Sequence, residues 1–224
     1  MSIAGELSDG RTEVPLRFTV PEQLHEIDLG EDQQQRVRRT FEKLIRCLHG
    51  IDQTKILAMV FSQEAMLAKL VQEGAVYVAQ CVARSEFEPT RLCVAQFSIL
   101  VKDAALQGAQ PLKTIASGLR TPGEPREIIF MDFPAGEGLV IGEELAVQPY
   151  ADVTGQRTGR SHRVRQAQII LAFPDRRRLA ILNVSSEGIE DWHHLTRTLN
   201  EIAHSVSFTK RAENTISMRL NTLG

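Results

Sequence analysis

The spacing of apolar and polar positions changes several times along the chain, and each change marks an element. PLRFTVP (15–21) alternates, setting Leu16, Phe18 and Val20 on one side; this predicts a strand that Pro21 ends, because proline cannot donate to a ladder. HEIDL (25–29) predicts a short second strand. Between 31 and 50 the period becomes helical. Val37, Phe41, Leu44, Ile45 and Leu48 recur at steps of three or four, with acids leading and Gly50 closing. A second helix is predicted over 53–72 from Ile56, Leu57, Val60, Met66, Leu67 and Leu70, ended by Gly74.

After Gly74 the pattern is that of strands. GAVYVAQCVAR and TRLCVAQFSILVK flank a polar SEFEP insert and predict a hairpin. Cys93, Ala95, Phe97, Ile99 and Val101 lie on one side of the second run, with Leu92, Val94 and Leu100 on the other. Apolar residues on both sides predict a central strand covered on both faces. A short helix is expected at 111–119, followed by REIIFMDFP and GLVIGEELAVQ around an Ala-Gly-Glu-Gly turn. RVRQAQIILAF and RRLAILNVS are then joined near Pro174-Asp175. The last helix, 189–206, carries Ile189, Trp192, Leu195, Leu199, Ile202 and Val206 in one stripe.

Hairpin-linked strands are antiparallel, and helices with single apolar stripes bury them against a sheet. The expected fold is therefore α+β, an antiparallel sheet covered by helices on both faces (an α/β/α sandwich). With no internal repeat and no Pro/Gly-rich linker, the 224 residues read as one domain, its ordered core at about 14–207 and loose tails at 1–13 and 209–224. The opening strand ending in FTVP, the helix soon after it, the antiparallel meander and a final helix entered by DW resemble one known group. These are the extrinsic photosystem II subunits of the PsbP type and the Ran guanine-nucleotide release factor. The resemblance lies in element order over about residues 14–207; the helix at 53–72 departs from the simplest form. It implies an α/β/α sandwich with a binding or accessory role rather than catalysis, and it assigns no ligand-contact residue.

Composition narrows the function classes. A net charge of −2 argues against a dedicated nucleic-acid binder. No run of apolar residues approaches the ~20 that a membrane span needs, and MSIAGELSDGRTEV lacks the basic-then-apolar order of a signal peptide. Cys47, Cys81 and Cys93 form no C-x-x-C pair and are expected to be free thiols in a reducing, cytoplasmic setting.

Candidate chemistry is sparse. G-x-S-x-G, P-loop and H-E-x-x-H motifs do not occur, and the glycines of PAGEGLVIGEE sit between strands, where a dinucleotide loop would open a helix. His193 and His194 are helix neighbours about 100° apart and cannot chelate one ion together, so no metal site is expected. Asp132 with Glu143 or Glu144 would make a cross-strand carboxylate pair, but a solvated edge is the preferred reading of those acids. The reading is thus of no catalytic residues, no cofactor and no metal.

One local feature opposes the acidic average. Residues 155–178 hold Arg157, Arg160, Arg163, Arg165, Arg176, Arg177 and Arg178 against a single acid, Asp175. Arg163 and Arg165 lie at one end of a strand and Arg176–Arg178 at the other, some 30–40 Å away, so two basic tips are expected in place of one patch. Arginine suits bidentate contacts to carboxylate or phosphate, and the Gly and Thr residues of 154–159 supply loop backbone donors. Solubility and edge protection account for the same residues without a ligand. The function expected is a non-catalytic interaction or accessory protein with a protein partner, for which an acidic surface fits. The alternatives are a small-molecule sensor or enzyme with a dispersed pocket, and anion or nucleic-acid binding through the arginine hairpin. Nucleic acid is disfavoured because aromatic stacking partners are absent there; a homo-oligomer is compatible with the reading, and a membrane partner is not.

Overall fold

A computed structural model of the chain describes residues 15–47, 52–85, 92–106, 108, 110–120, 126–147 and 162–208. The elements run β1 (His25–Glu26), α1 (Gln33–Cys47), α2 (Gln53–Gln72), β2 (Ala75–Arg84), β3 (Leu92–Asp103), α3 (Pro111–Leu119), β4 (Arg126–Phe133), β5 (Gly136–Val147), β6 (His162–Ala172), β7 (Arg178–Ser186) and α4 (Trp192–Ser205). The strands form one open antiparallel sheet in the order β1-β2-β3-β7-β6-β5-β4. The fold is α+β. Among the described residues no helix is long and apolar enough to cross a membrane.

Two sequence expectations shrink. The 15–21 stretch is not a strand of the sheet: it makes a single bridge, Arg17 to Ser207, while Leu16 and Phe18 are buried as their alternation requires. HEIDL contributes only His25 and Glu26 to pairing, against Gln80 and Ala79 of β2. Ile27 N still donates to Val78 O (2.9 Å) just past the second stretch, and burial of alternate side chains holds the first one. The expected tails, 1–13 and 209–224, lie outside the described residues.

Alternate residues on the strands enter different clusters. Ala79, Ala95, Phe97, Ile99, Ala167, Ile169, Leu171, Leu182 and Val184 share a core with Leu195, Leu199, Ile202 and Ala203 of α4. Their strand neighbours Leu139, Ile141, Ile170 and Leu179 cluster with Leu112 and Ala116 of α3, and Val78 with Ile27 and Leu67 of α2. The side chains of one strand point alternately to opposite faces, and alternate residues of β2, β6 and β7 fall into different clusters. Covering is incomplete. Val82 and Val94, directly opposed in register, are 48% and 51% exposed, which corrects the expectation that β3 is covered along its whole length.

The helices differ in what they bury. Asp32 caps α1 through its Oδ1, which accepts from the amides of Gln34 (2.9 Å) and Gln35 (3.1 Å), and Asp52 caps α2 in the same way through Thr54. Val37, Phe41, Leu44 and Ile45 of α1 are only half-buried, because α1 packs mainly on α2. α2 ends at Gly74, whose φ of +88° and closeness to the Val101 carbonyl leave no room for a Cβ.

Candidate functional site

The β6–β7 hairpin carries the candidate arginines that lie among the described residues. Arg163 and Arg165 occupy alternate positions at the open end of β6, continuous with Ala167, Ile169, Leu171 and Phe173, all buried. Register sets Arg163 opposite Ala146 and Arg165 opposite Glu144 on β5, so both guanidinium groups reach one carboxylate. Arg163 Nη2 contacts Glu144 Oε1, and Arg165 Nε lies 3.6 Å from Glu144 Oε2. The Arg163 side chain is 74% exposed and Glu144 is 24% exposed. Two cations share one anion.

The opposite end is a tight turn. Phe173 N donates to Arg178 O (3.0 Å), Arg176 N donates to Phe173 O (2.9 Å), and Arg176 takes a left-handed φ of +56°. Asp175 Oδ1 accepts from the Arg177 amide (2.8 Å), while its Oδ2 accepts from Arg178 Nη2 (2.7 Å) and Nε (3.0 Å). The backbone bond from Arg177 and the Arg178 guanidinium hold the Asp175 carboxyl below its usual range. Arg178 also lies over the Phe173 ring, 4.6 Å from its centroid. Arg178 is thus built into the turn, whereas Arg176 and Arg177 are exposed.

The eleven residues of β6 separate these ends by about 35 Å at the usual strand rise. The five described arginines of this set therefore do not meet: Arg163 and Arg165 form one group, and Arg176, Arg177 and Arg178 the other. Arg157, Arg160 and the side chain of His162 lie outside the described residues.

The acidic candidates sort differently from the sequence expectation. Asp132 pairs with Glu137 across the β4–β5 hairpin, and Glu143 stands opposite Arg126, which binds it through Nε (2.8 Å) and Nη2 (2.7 Å). No carboxylate pair forms between Asp132 and Glu143 or Glu144, because the two-residue turn at Pro134-Ala135 fixes a register that keeps them apart. The chain between Phe133 and Gly136 is that turn, with Gly136 at φ +123°. His193 and His194 have ring centroids 5.8 Å apart, and His204 Nδ1 lies 2.9 Å from the Asn200 carbonyl oxygen. Among the described residues no three His, Cys, Asp or Glu gather in a way that could hold a metal ion.

Two polar groupings were not foreseen from the sequence. Arg36 Nε and Nη2 grip Glu64 Oε1 (2.9 Å) and Oε2 (2.7 Å), and its Nη1 donates to the carbonyls of Glu31 (2.9 Å) and Asp28 (3.2 Å). This bidentate bond, followed by the nearby acids, raises the Arg36 pKa further. The other lies where α4 begins. Asp191, buried, accepts from Ser85 Oγ (3.2 Å), and Ser186 Oγ donates to Val94 O (2.8 Å) and accepts from Gly188 N (2.9 Å). Cys93 packs against this group, its Sγ so close to Gly188 that a Cβ there would sit 3.2 Å away. Burial first, and then the Asp191 charge, push the Cys93 thiol up; burial alone does so for Cys81. Both are free, buried thiols held in the protonated, weakly nucleophilic form at neutral pH. The polar residues in each case are ordinary in type, and only their long-range neighbours make them a cluster.

No family model matches this sequence, and no curated protein does.

Proposed function

We propose that this chain is a non-catalytic interaction or accessory protein that binds an acidic segment of a protein partner through the arginine-bearing end of β6. One observation supports the reading: Arg163 and Arg165 converge on the single carboxylate of Glu144, two cations on one anion at an exposed end of β6. Arg157 and Arg160 lie a few residues earlier in the sequence. Arg176 and Arg177 form a secondary tip too distant to act on the same short segment. Buried, protonated thiols on neighbouring strands fit a reducing cytoplasmic setting. A single-domain α/β/α layering, with α4 on one side of the sheet and α2 and α3 on the other, is the frame proposed for it, in line with the PsbP-type element order.

The test is titration of the full chain with a fluorescent oligo-glutamate peptide at low and at high salt, beside Arg157→Gln/Arg160→Gln/Arg163→Gln. At about half a kcal/mol for each exposed ion pair, the variant binds roughly tenfold more weakly at low salt and shows a flatter salt dependence. Equal affinity of both proteins returns these arginines to solubility and edge protection. Tighter binding of a DNA duplex than of the peptide, with a steep salt slope, moves the assignment to nucleic acid.

A further inference from the structure

The two edges of the sheet are unlike. The β1 edge is two residues long, and both, His25 and Glu26, are exposed and polar. Short polar edges resist pairing with another chain. The opposite edge, β4, is eight residues long and reads REIIFMDF. Ile129 (54% exposed) and Met131 (37% exposed) point to one face; Ile128 and Phe130 point to the other, half-buried against the α3 cluster. Among the described residues nothing pairs with its outer side, and a long, apolar edge of this kind is a template for another strand.

Which main-chain groups face outward follows from the ladder. Phe173 N donates to Arg178 O, so the odd-numbered residues of β6 bond to β7 and the even-numbered ones to β5. Carrying this alternation through the β5–β6 and β4–β5 registers, the odd-numbered residues of β4 bond to β5. The amides and carbonyls of Arg126, Ile128, Phe130 and Asp132 therefore point away from the sheet.

We propose that β4 pairs with β4 of a second copy of this chain, antiparallel about a two-fold axis through Ile129. In that register Arg126 faces Asp132 of the other copy, Ile128 faces Phe130, Glu127 faces Met131, and Ile129 faces itself. All four outward residues of each copy exchange both main-chain bonds, opposite charges meet at both ends, and the centre is apolar. Arg126 keeps its bond to Glu143 and gains a second carboxylate. Centring on Phe130 sets Ile128 against Asp132, and Arg126 against Pro134, which has no amide hydrogen. Centring on Ile128 opposes Arg126 to Phe130 and pairs a shorter stretch. Half-residue registers set outward groups against inward ones and form no ladder. The strand is self-complementary in one register only.

Sedimentation equilibrium of the full chain, together with cysteine cross-linking, tests this. The wild type is expected at twice the chain mass. Ile129→Lys, whose exposed site leaves the circular dichroism spectrum unchanged, is expected at one chain mass. In a non-hydrogen-bonded pair the Cα atoms lie about 4.5 Å apart, within disulfide reach, so Ile129→Cys forms a covalent dimer on oxidation beyond any wild-type background. Met131→Cys does not, because the two copies of residue 131 are offset by four residues, about 13 Å. A wild type that stays at one chain mass at every concentration overturns the proposal. So does a dimer that survives Ile129→Lys, or one that Met131→Cys cross-links as readily; either places the interface or the register elsewhere.

Discussion

Removing one partner of the Arg36–Glu64 pair is the perturbation that most sharply probes how α1 is held. The α1 stripe is only half-buried, so apolar burial against α2 contributes less than a full core face would. The guanidinium, 11% exposed, spends every contact on Glu64 (3% exposed) and on two carbonyls in the turn before α1. Glu64→Ala leaves that cation buried with carbonyl acceptors alone. Loss of one partner of a buried pair costs about 3–5 kcal/mol, because the desolvation of the remaining charge is no longer offset. Arg36→Met with Glu64→Leu removes both charges and restores apolar volume, and the cost should then fall to about 1 kcal/mol or turn favourable. Urea unfolding of the wild type, both single variants and the double variant measures the coupling, and hydrogen exchange of the α1 amides reports local undocking. Single-variant losses below about 1 kcal/mol, with α1 amide protection unchanged, would refute the claim that this pair fastens the helix.

Leu199→Ala should lower stability by about 2–5 kcal/mol in chemical denaturation, since Leu199 is buried in the α4 core cluster and its loss leaves a cavity. Burial raises the Tyr77 pKa to about 12, so the folded state favours the neutral phenol. The corresponding stability is fully present below the unfolded value near 10 and is lost as pH rises from about 10 through 12, by about 2–3 kcal/mol. Tyr77→Phe should flatten that alkaline loss, and at neutral pH cost little, because the buried hydroxyl has no hydrogen-bond partner among the described residues. Thiol titration should find Cys81 and Cys93 unreactive in the native state, and all three cysteines reactive in denatured, non-reduced protein; a single reactive thiol there would contradict the reducing setting.

Periodicity by itself determined where the helices and most of the strands lie. The stripe from Leu195 to Val206 and the alternation from Ala167 to Phe173 are local patterns, and a local pattern is enough to set which side chains face inward. It also placed Arg163 and Arg165 away from Arg176–Arg178, because the length of one strand separates them. What it could not set was pairing. Whether Glu143 meets Asp132 or Arg126 depends on a hairpin register, and a sheet order that leaves β4 at an edge depends on contacts between residues distant in sequence. The half-exposed α1 stripe shows the same limit, since an apolar period says that a face will be covered, not how well. Arg36 and Glu64, 28 residues apart, look like surface charges until α1 folds onto α2 and closes them off from water. Local spacing chose the elements; the order and register of the sheet decided which charges are paired, which are shared, and which strand is left open.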